Sequence, residues 1–278
     1  MHSMQWTRQS AFVAWAVALP FLMEPNLLRA QPTEFTATLH LQVADQSTQI
    51  EYFSSLGQLR IDVDQPEKLS AVFKEDSNEL LIMQHAEQRY LELGQTQIRL
   101  LQQILQALQQ PTTVDQDATD IAGMQFSETG SQDRVGLWNA SEMRGTIDGQ
   151  AQDSEVVVWM SEEPSVGISE IFLTLTEAVE ALGITTSGNT LEQQQFRRFS
   201  ALAKTRALPQ GQVVRVHTTN NRRQTVLTLR TLDLGPLPAE TFDVPNGYET
   251  MGLLGLPALF GGGGIPGFPG GGLPGLPE

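Results

Sequence analysis

Residues 36–43 alternate along the chain. Leu39, Leu41 and Val43 fall on one side of an extended backbone, and Thr38, His40 and Gln42 on the other. Residues 59–64 repeat the pattern, with Leu59, Ile61 and Val63 against Arg60, Asp62 and Asp64. A period of two predicts antiparallel strands with one buried face. Further strands are expected at 50–54, 71–74, 80–84 and 90–93. Turn chemistry separates them at Gly57 and at Glu75-Asp76-Ser77-Asn78. Strands resume at 135–140, 142–147 and 155–160, and a last pair is expected at 213–218 and 224–232. In that pair Leu227 and Leu229 alternate with Thr228 and Arg230.

The period changes to that of a helix in three places. Residues 95–110 put Ile98, Leu101, Leu105 and Leu108 on one stripe, and Pro111 ends the run. Residues 168–182 place Ile168, Ile171, Phe172, Leu175, Val179 and Leu182 on another, with Gly183 just past the end. Residues 190–207 form the third, carrying Leu191, Phe196, Phe199 and Leu202. Ordering a helix costs about 1–2 kcal/mol per residue. Its apolar side chains return that only when buried, at about 1.5–3 kcal/mol each. These helices must therefore lie on the sheet. The 98–108 stripe reads either as a fixed core helix or as a movable lid.

The two ends of the chain are different material. Arg8 precedes the apolar run 11–23, and Leu28-Arg29-Ala30 stands before Gln31. This is the layout of a secretory signal peptide over residues 1–30, cut after Ala30. Leu28 is larger than the residue preferred three places before a cut, so a retained anchor is the competing reading. Thirteen apolar residues rise only about 20 Å as a helix, short of a bilayer core of roughly 30 Å. No later run is long enough to span, so the mature chain is expected to be exported, periplasmic or secreted, with no transmembrane segment. Residues 251–278 are Gly/Pro-rich, with Gly-apolar-Pro at Gly255, Gly264, Gly267, Gly272 and Gly275. The register slips at 270–272, which excludes a collagen helix. A disordered tail is expected, available for self-association. Residues 31–250 form the folded domain.

The chain has no cysteine and a formal net charge of −15. An exported protein without cysteine has no disulfide framework and no lipid-bearing N-terminus, so its stability rests on a core. Residues 31–189 carry 25 acidic and 7 basic residues, and residues 190–278 carry 6 and 8. An acidic body argues against nucleic acid. The basic group around Arg197, Arg215, Arg222 and Arg230 is read as facing the acidic half of the same domain or solvent, with an anion or lipid head group as the alternative.

Catalytic and metal constellations do not form in the sequence. His40, His85 and His217 fall on separate strands without ligand spacing. Asp115, Asp117 and Asp120 lack the glycine and distal glutamate of a calcium loop. Asp62 and Asp64 read as solvent-facing rather than as an acid/base pair. There is no Gly-x-Ser-x-Gly elbow, and Ala203-Lys204-Thr205 lacks a phosphate-binding glycine loop. The chain is expected not to be an enzyme and to need no metal or cofactor.

One resemblance can be drawn. Thr241-Phe242-Asp243-Val244-Pro245-Asn246-Gly247-Tyr248 follows Gln210-Gly211-Gln212-Val213-Val214 and a hairpin ending in Thr231-Leu232. Trp138 and Trp159 stand on successive strands upstream. Over roughly residues 33–250 the chain resembles LolA-like exported domains of unknown function, relatives of the periplasmic lipoprotein carriers LolA and LolB. The Gly/Pro tail departs from that pattern.

The resemblance implies an α+β fold: a curved antiparallel sheet, or incomplete β-barrel, with about three helices on the concave side. In the carriers the space beneath the helices holds acyl chains. It implies here a non-enzymatic binding protein for a lipid or lipidated partner. Leu39, Leu41, Leu59, Ile61, Leu227 and Leu229 would line the cavity from the strands. Leu101, Leu105 and Phe172 would do so from the helices. Trp159 joins them, although a tryptophan on a strand is also ordinary core. The alternative is a structural or interaction protein of the envelope that uses its Gly/Pro/Leu tail.

Overall fold

The computed structural model describes residues 34–64, 67–99, 125–146, 154–181, 211–220 and 223–252. The expected signal peptide, the tail from 253 onward and the helix at 190–207 lie outside these residues. The strands are β1 (Phe35–Val43), β2 (Gln46–Ser55), β3 (Gln58–Val63), β4 (Leu69–Lys74), β5 (Glu79–Gln84), β6 (Arg89–Leu93), β7 (Gln125–Val135), β8 (Trp138–Thr146), β9 (Ser154–Ser161), β10 (Gln212–Asn220), β11 (Arg223–Leu234) and β12 (Glu249–Met251). They form one sheet in the order β12-β6-β5-β4-β3-β2-β1-β11-β10-β9-β8-β7. All neighbours are antiparallel except β6 and β12, which run parallel.

The alternation in the sequence becomes two faces. On β1 Phe35, Ala37, Leu39 and Leu41 are buried, while the residues between them are half-buried or exposed. Their cross-strand partners continue the apolar face: Ala37 beside Tyr52 and Leu232, Leu41 beside Leu227. Further along, Leu227 neighbours Val216, which neighbours Val158. Two helical segments occur among the described residues, α1 (95–99) and α2 (Ile168–Ala181), and they fall on the first two of the three expected helices. The remainder of the first helix, with Leu101 and Leu105, lies outside them.

In α2 Ile168, Ile171, Phe172, Leu175 and Ala178 recur at three- and four-residue spacing and are buried in the same core cluster as the strand residues. The Glu170 carboxylate accepts a 2.9 Å hydrogen bond from the Gly167 amide, which would otherwise be unpaired at the start of the helix. The apolar face of the sheet is thus the one that carries α2.

The sheet is curved and unclosed, and its β7–β8 end folds back. The turn at Gly136 and Leu137 falls inside the expected strand 135–140, so that strand is in fact the end of one strand, a tight turn and the start of the next. Gly136 has φ +61°, and a Cβ there would meet the carbonyl oxygens of Leu229 at 2.9 Å and Arg230 at 3.0 Å. In a flat sheet strands three or four places apart are about 14–19 Å apart, so the return to β11 requires strong coiling.

Two extra residues interrupt the ladders nearby. β11 shifts register between the partners of Thr38 and Leu39, leaving Arg230 unpaired with β1. β10 shifts between Val213 and Arg215, leaving Val214 unpaired with β9. Such bulges bend a strand and re-aim its side chains.

After β11 the chain crosses to the opposite face of the sheet. Residues 235–248, including a 3-10 turn at Ala239–Phe242, form a strap there. Phe242 joins Val72, Leu81 and Met83 in a second buried cluster, with Leu237, Val244 and Tyr248 packed against it.

Candidate functional site

Two regions hold candidate sites. The first is the apolar face under α2. Leu39, Leu41, Leu59, Phe172, Leu227 and Leu229 are all buried there, and Ile61 is half-buried against them. These seven expected lining residues therefore share one cluster. A large polar side chain stands among them. Tyr52 is 1 % exposed. Its hydroxyl lies beside the Thr174 and Ser54 side chains without a well-aligned hydrogen bond to either. Thr174 Oγ1 instead donates to the Glu170 carbonyl at 3.0 Å. Burial pushes the phenol of Tyr52 far up, so it stays neutral. An unpaired buried hydroxyl costs about 1–3 kcal/mol. Sequence reasoning passed over Tyr52, although its place between Ile50 and Ser54 marks it as a polar tip on a buried stripe.

Trp159 is half-buried against the margin of this cluster, but its ring is turned away from it. Its register partners are Arg215 and Glu142, which puts it on the opposite face. The reason is parity: Val158 and Met160, its neighbours in sequence, take the core side.

The second region lies around Trp159. Register sets a row across four strands: His40 beside Thr228, Thr228 beside Arg215, Arg215 beside Trp159. A parallel row runs Gln42, Val226, His217. Together with Arg230 these side chains line an open pocket of about 310 Å³.

The Arg215 guanidinium lies 5.1 Å over the Trp159 ring. Its Nη1 donates to Asp133 at 2.9 Å, so part of the basic cluster does face the acidic half of the chain as expected. Arg215 Nε and His217 Nε2 are buried and have no partner. His40 Nε2 is 2.7 Å from Ser47 Oγ.

The opposite face carries a different polar group beneath the strap. Arg60 grips Asp62 with Nε at 2.7 Å and Nη2 at 2.9 Å, and donates from Nη1 to the Thr241 carbonyl at 2.7 Å. Ser70 Oγ is 2.6 Å from His85 Nε2, and Tyr248 OH is 2.6 Å from His85 Nδ1. Asp62 is 4 % exposed. The expectation of a solvent-facing Asp62 fails because the strap covers it, while Asp64 is exposed. His85 is held below its ordinary range chiefly by burial. At the head of the strap Glu34 accepts from Ser55 Oγ at 2.8 Å and from the Leu237 amide at 2.9 Å. These bonds lower the Glu34 pKa.

Among the described residues no three His, Asp or Glu side chains gather as a metal site, and no helix is long and apolar enough to cross a membrane.

No protein-family model matches the chain, and no curated protein matches it. Solved structures match at low identity. The Pseudomonas aeruginosa MucA/MucB complex aligns at 9 % identity and TM-score 0.36, over 84 % of this chain and 59 % of that one. LprF from Mycobacterium bovis aligns at 11 % and 0.32, over 86 % and 96 %. PNGF-II aligns at 9 % and 0.32, over 82 % and 32 %. This chain therefore spans less than two thirds of the chains it matches in the MucA/MucB complex and in PNGF-II. An unclosed, curved, mainly antiparallel sheet with an apolar helix-bearing face is the architecture that the LolA-like resemblance implies.

Proposed function

We propose that this chain is an exported, non-enzymatic binding protein that holds an apolar ligand, a lipid tail or lipidated partner, between its curved sheet and its helices. The observation that carries this is the apolar face itself. Side chains from β1, β2, β3, β11 and α2 form one cluster there, and the Tyr52 hydroxyl within it, beside Thr174 and Ser54, lacks a well-aligned hydrogen bond. Burial of an acyl chain against such a face is favourable at about 25 cal/mol per Å². A carbonyl or hydroxyl on the ligand would give Tyr52 the partner it lacks. No covalent chemistry is required.

Native mass spectrometry of the protein purified from a bacterial envelope tests this. Added mass that organic extraction removes is the expected result, together with uptake of a fluorescent fatty acid by the extracted protein. A clean mass with no uptake would reject the carrier reading. Tyr52→Phe sharpens the test. It should weaken fatty-acid uptake severalfold while leaving the empty protein as stable or more stable.

A further inference from the structure

The pocket around Trp159 lies on the face away from the apolar ligand region, so its chemistry stands apart from the carrier function. It is unusual for this chain. In a protein of net charge −15, Arg215, Arg230, His40 and His217 converge on one open pocket of about 310 Å³. The volume is that of a small-ligand site. Arg230 occupies the extra position of a bulge, and Arg215 immediately follows the extra residue Val214 in the neighbouring strand. Both ladders are thus broken at the point where the two arginines enter the pocket.

The hydrogen-bonding state identifies the missing group. A guanidinium is always protonated, so Arg215 Nε is always a donor. It is buried without an acceptor, which is costly. His217 Nε2 is buried and unpartnered beside it. Arg230 makes no ion pair among the described residues. The Arg215 guanidinium lies over Trp159, and Asp133 occupies only Nη1. The rest of the fork is presented for a planar or tetrahedral oxyanion, the geometry arginine suits best. Of the acidic groups close by in the register, Glu142 lies within 3.8 Å of Arg144 and Asp133 is on Arg215, so neither fills the pocket.

We propose that this pocket binds a phosphate group, held by Arg215 and Arg230 with His217 as a further partner and Trp159 as its floor. The phosphate is either that of a free phosphomonoester or that of a lipid head group. The test uses the full chain with two probes. One arm titrates glycerol phosphate and inorganic phosphate by calorimetry. The other measures sedimentation with phosphatidylglycerol vesicles, against phosphatidylcholine vesicles to which 1,2-diacylglycerol is added in place of the anionic lipid. Arg215→Gln and Arg230→Gln are compared with Arg89→Gln, an exposed arginine on β6.

Saturable binding in either arm, weakened at least tenfold by both pocket variants and unchanged by Arg89→Gln, is the expected result. Binding of the soluble probes identifies a free phosphate site, and binding of phosphatidylglycerol alone identifies a lipid head group. No binding in either arm, or binding that Arg89→Gln weakens as much as Arg230→Gln, overturns the proposal. Arg230 is exposed, so its variant tests the site even if Arg215→Gln disturbs the packing on Trp159.

Discussion

The face of the sheet away from α2 holds two polar groupings that look alike in the sequence and are opposite in state. Beneath the strap, Arg60–Asp62 and Ser70–His85–Tyr248 form two sets of short bonds, joined by a 3.4 Å bond from Arg60 Nη2 to Ser70 Oγ and ending on the Thr241 carbonyl. Further along the sheet, on β1, β11 and β10, Arg215, Arg230, His40 and His217 surround open space, and two of their buried nitrogens have no partner. Closed networks rigidify a fold, and a half-satisfied one is costly unless something completes it. The strap network is therefore a fastening, and the pocket is a place where an external group can complete the set.

This contrast orders the expected effects of substitution. Asp62→Ala strikes hardest. It leaves the Arg60 guanidinium, whose side chain is 14 % exposed, without its bidentate partner. Loss of about 3 kcal/mol in urea unfolding is expected, as for other broken buried pairs. A loss below about 1 kcal/mol would mean that the strap is not fastened through this pair.

Gly136→Ala comes next. It forces a side chain onto φ +61° and against the β11 backbone, at a cost of about 1–3 kcal/mol. It should also loosen the contact of Asp133 with Arg215, seen as a change in Trp159 fluorescence.

Tyr248→Phe removes one hydrogen bond and should cost about 1 kcal/mol. The pH dependence follows from the same place. Burial lowers the His85 pKa below the ordinary 6.5 in the folded protein, and nearby Lys68 and Arg60 add to the lowering while Asp62 opposes it. The unfolded chain then binds more protons than the folded one between those two values. Stability is full above about pH 6.5 and falls as the pH drops toward the folded value. Thermal melts of the native protein and His85→Gln from pH 7.5 to 5 check this, and the variant should show a flatter slope.

Arg230→Gln should change stability least, within about 0.5 kcal/mol, because it removes a charge that no ion pair among the described residues uses. A large loss there would erase the distinction between fastening and binding site.

Much of the sheet was legible from alternation. Leu39 and Leu41, Leu59 and Ile61, and Leu227 and Leu229 all point to the side that a period of two assigns them. The 168–182 helix was equally plain from its stripe. β7 was not legible, since an edge strand with both sides in water needs no alternation, and residues 125–134 are almost all exposed. The basic pocket was hidden for another reason. His40 and Arg215 are brought together only by β11 lying between β1 and β10, and local spacing carries no trace of that pairing. Trp159 was assigned to the wrong side because a large aromatic was taken as core, whereas the valine and methionine flanking it occupy the core. Asp62 looked solvent-facing because nothing near it in sequence announces a cover that arrives 180 residues later.

A sheet that never closes has two raw margins, each a row of backbone groups on which another copy could build. Here both are blunted. One margin is β7, a strand bearing Glu128, Asp133 and Arg134. The other is β12, three residues long and laid parallel along β6. Charge at one lip and brevity at the other deny a neighbouring molecule a template for adding strands. An unclosed sheet can thus stay at high concentration without polymerising edge to edge.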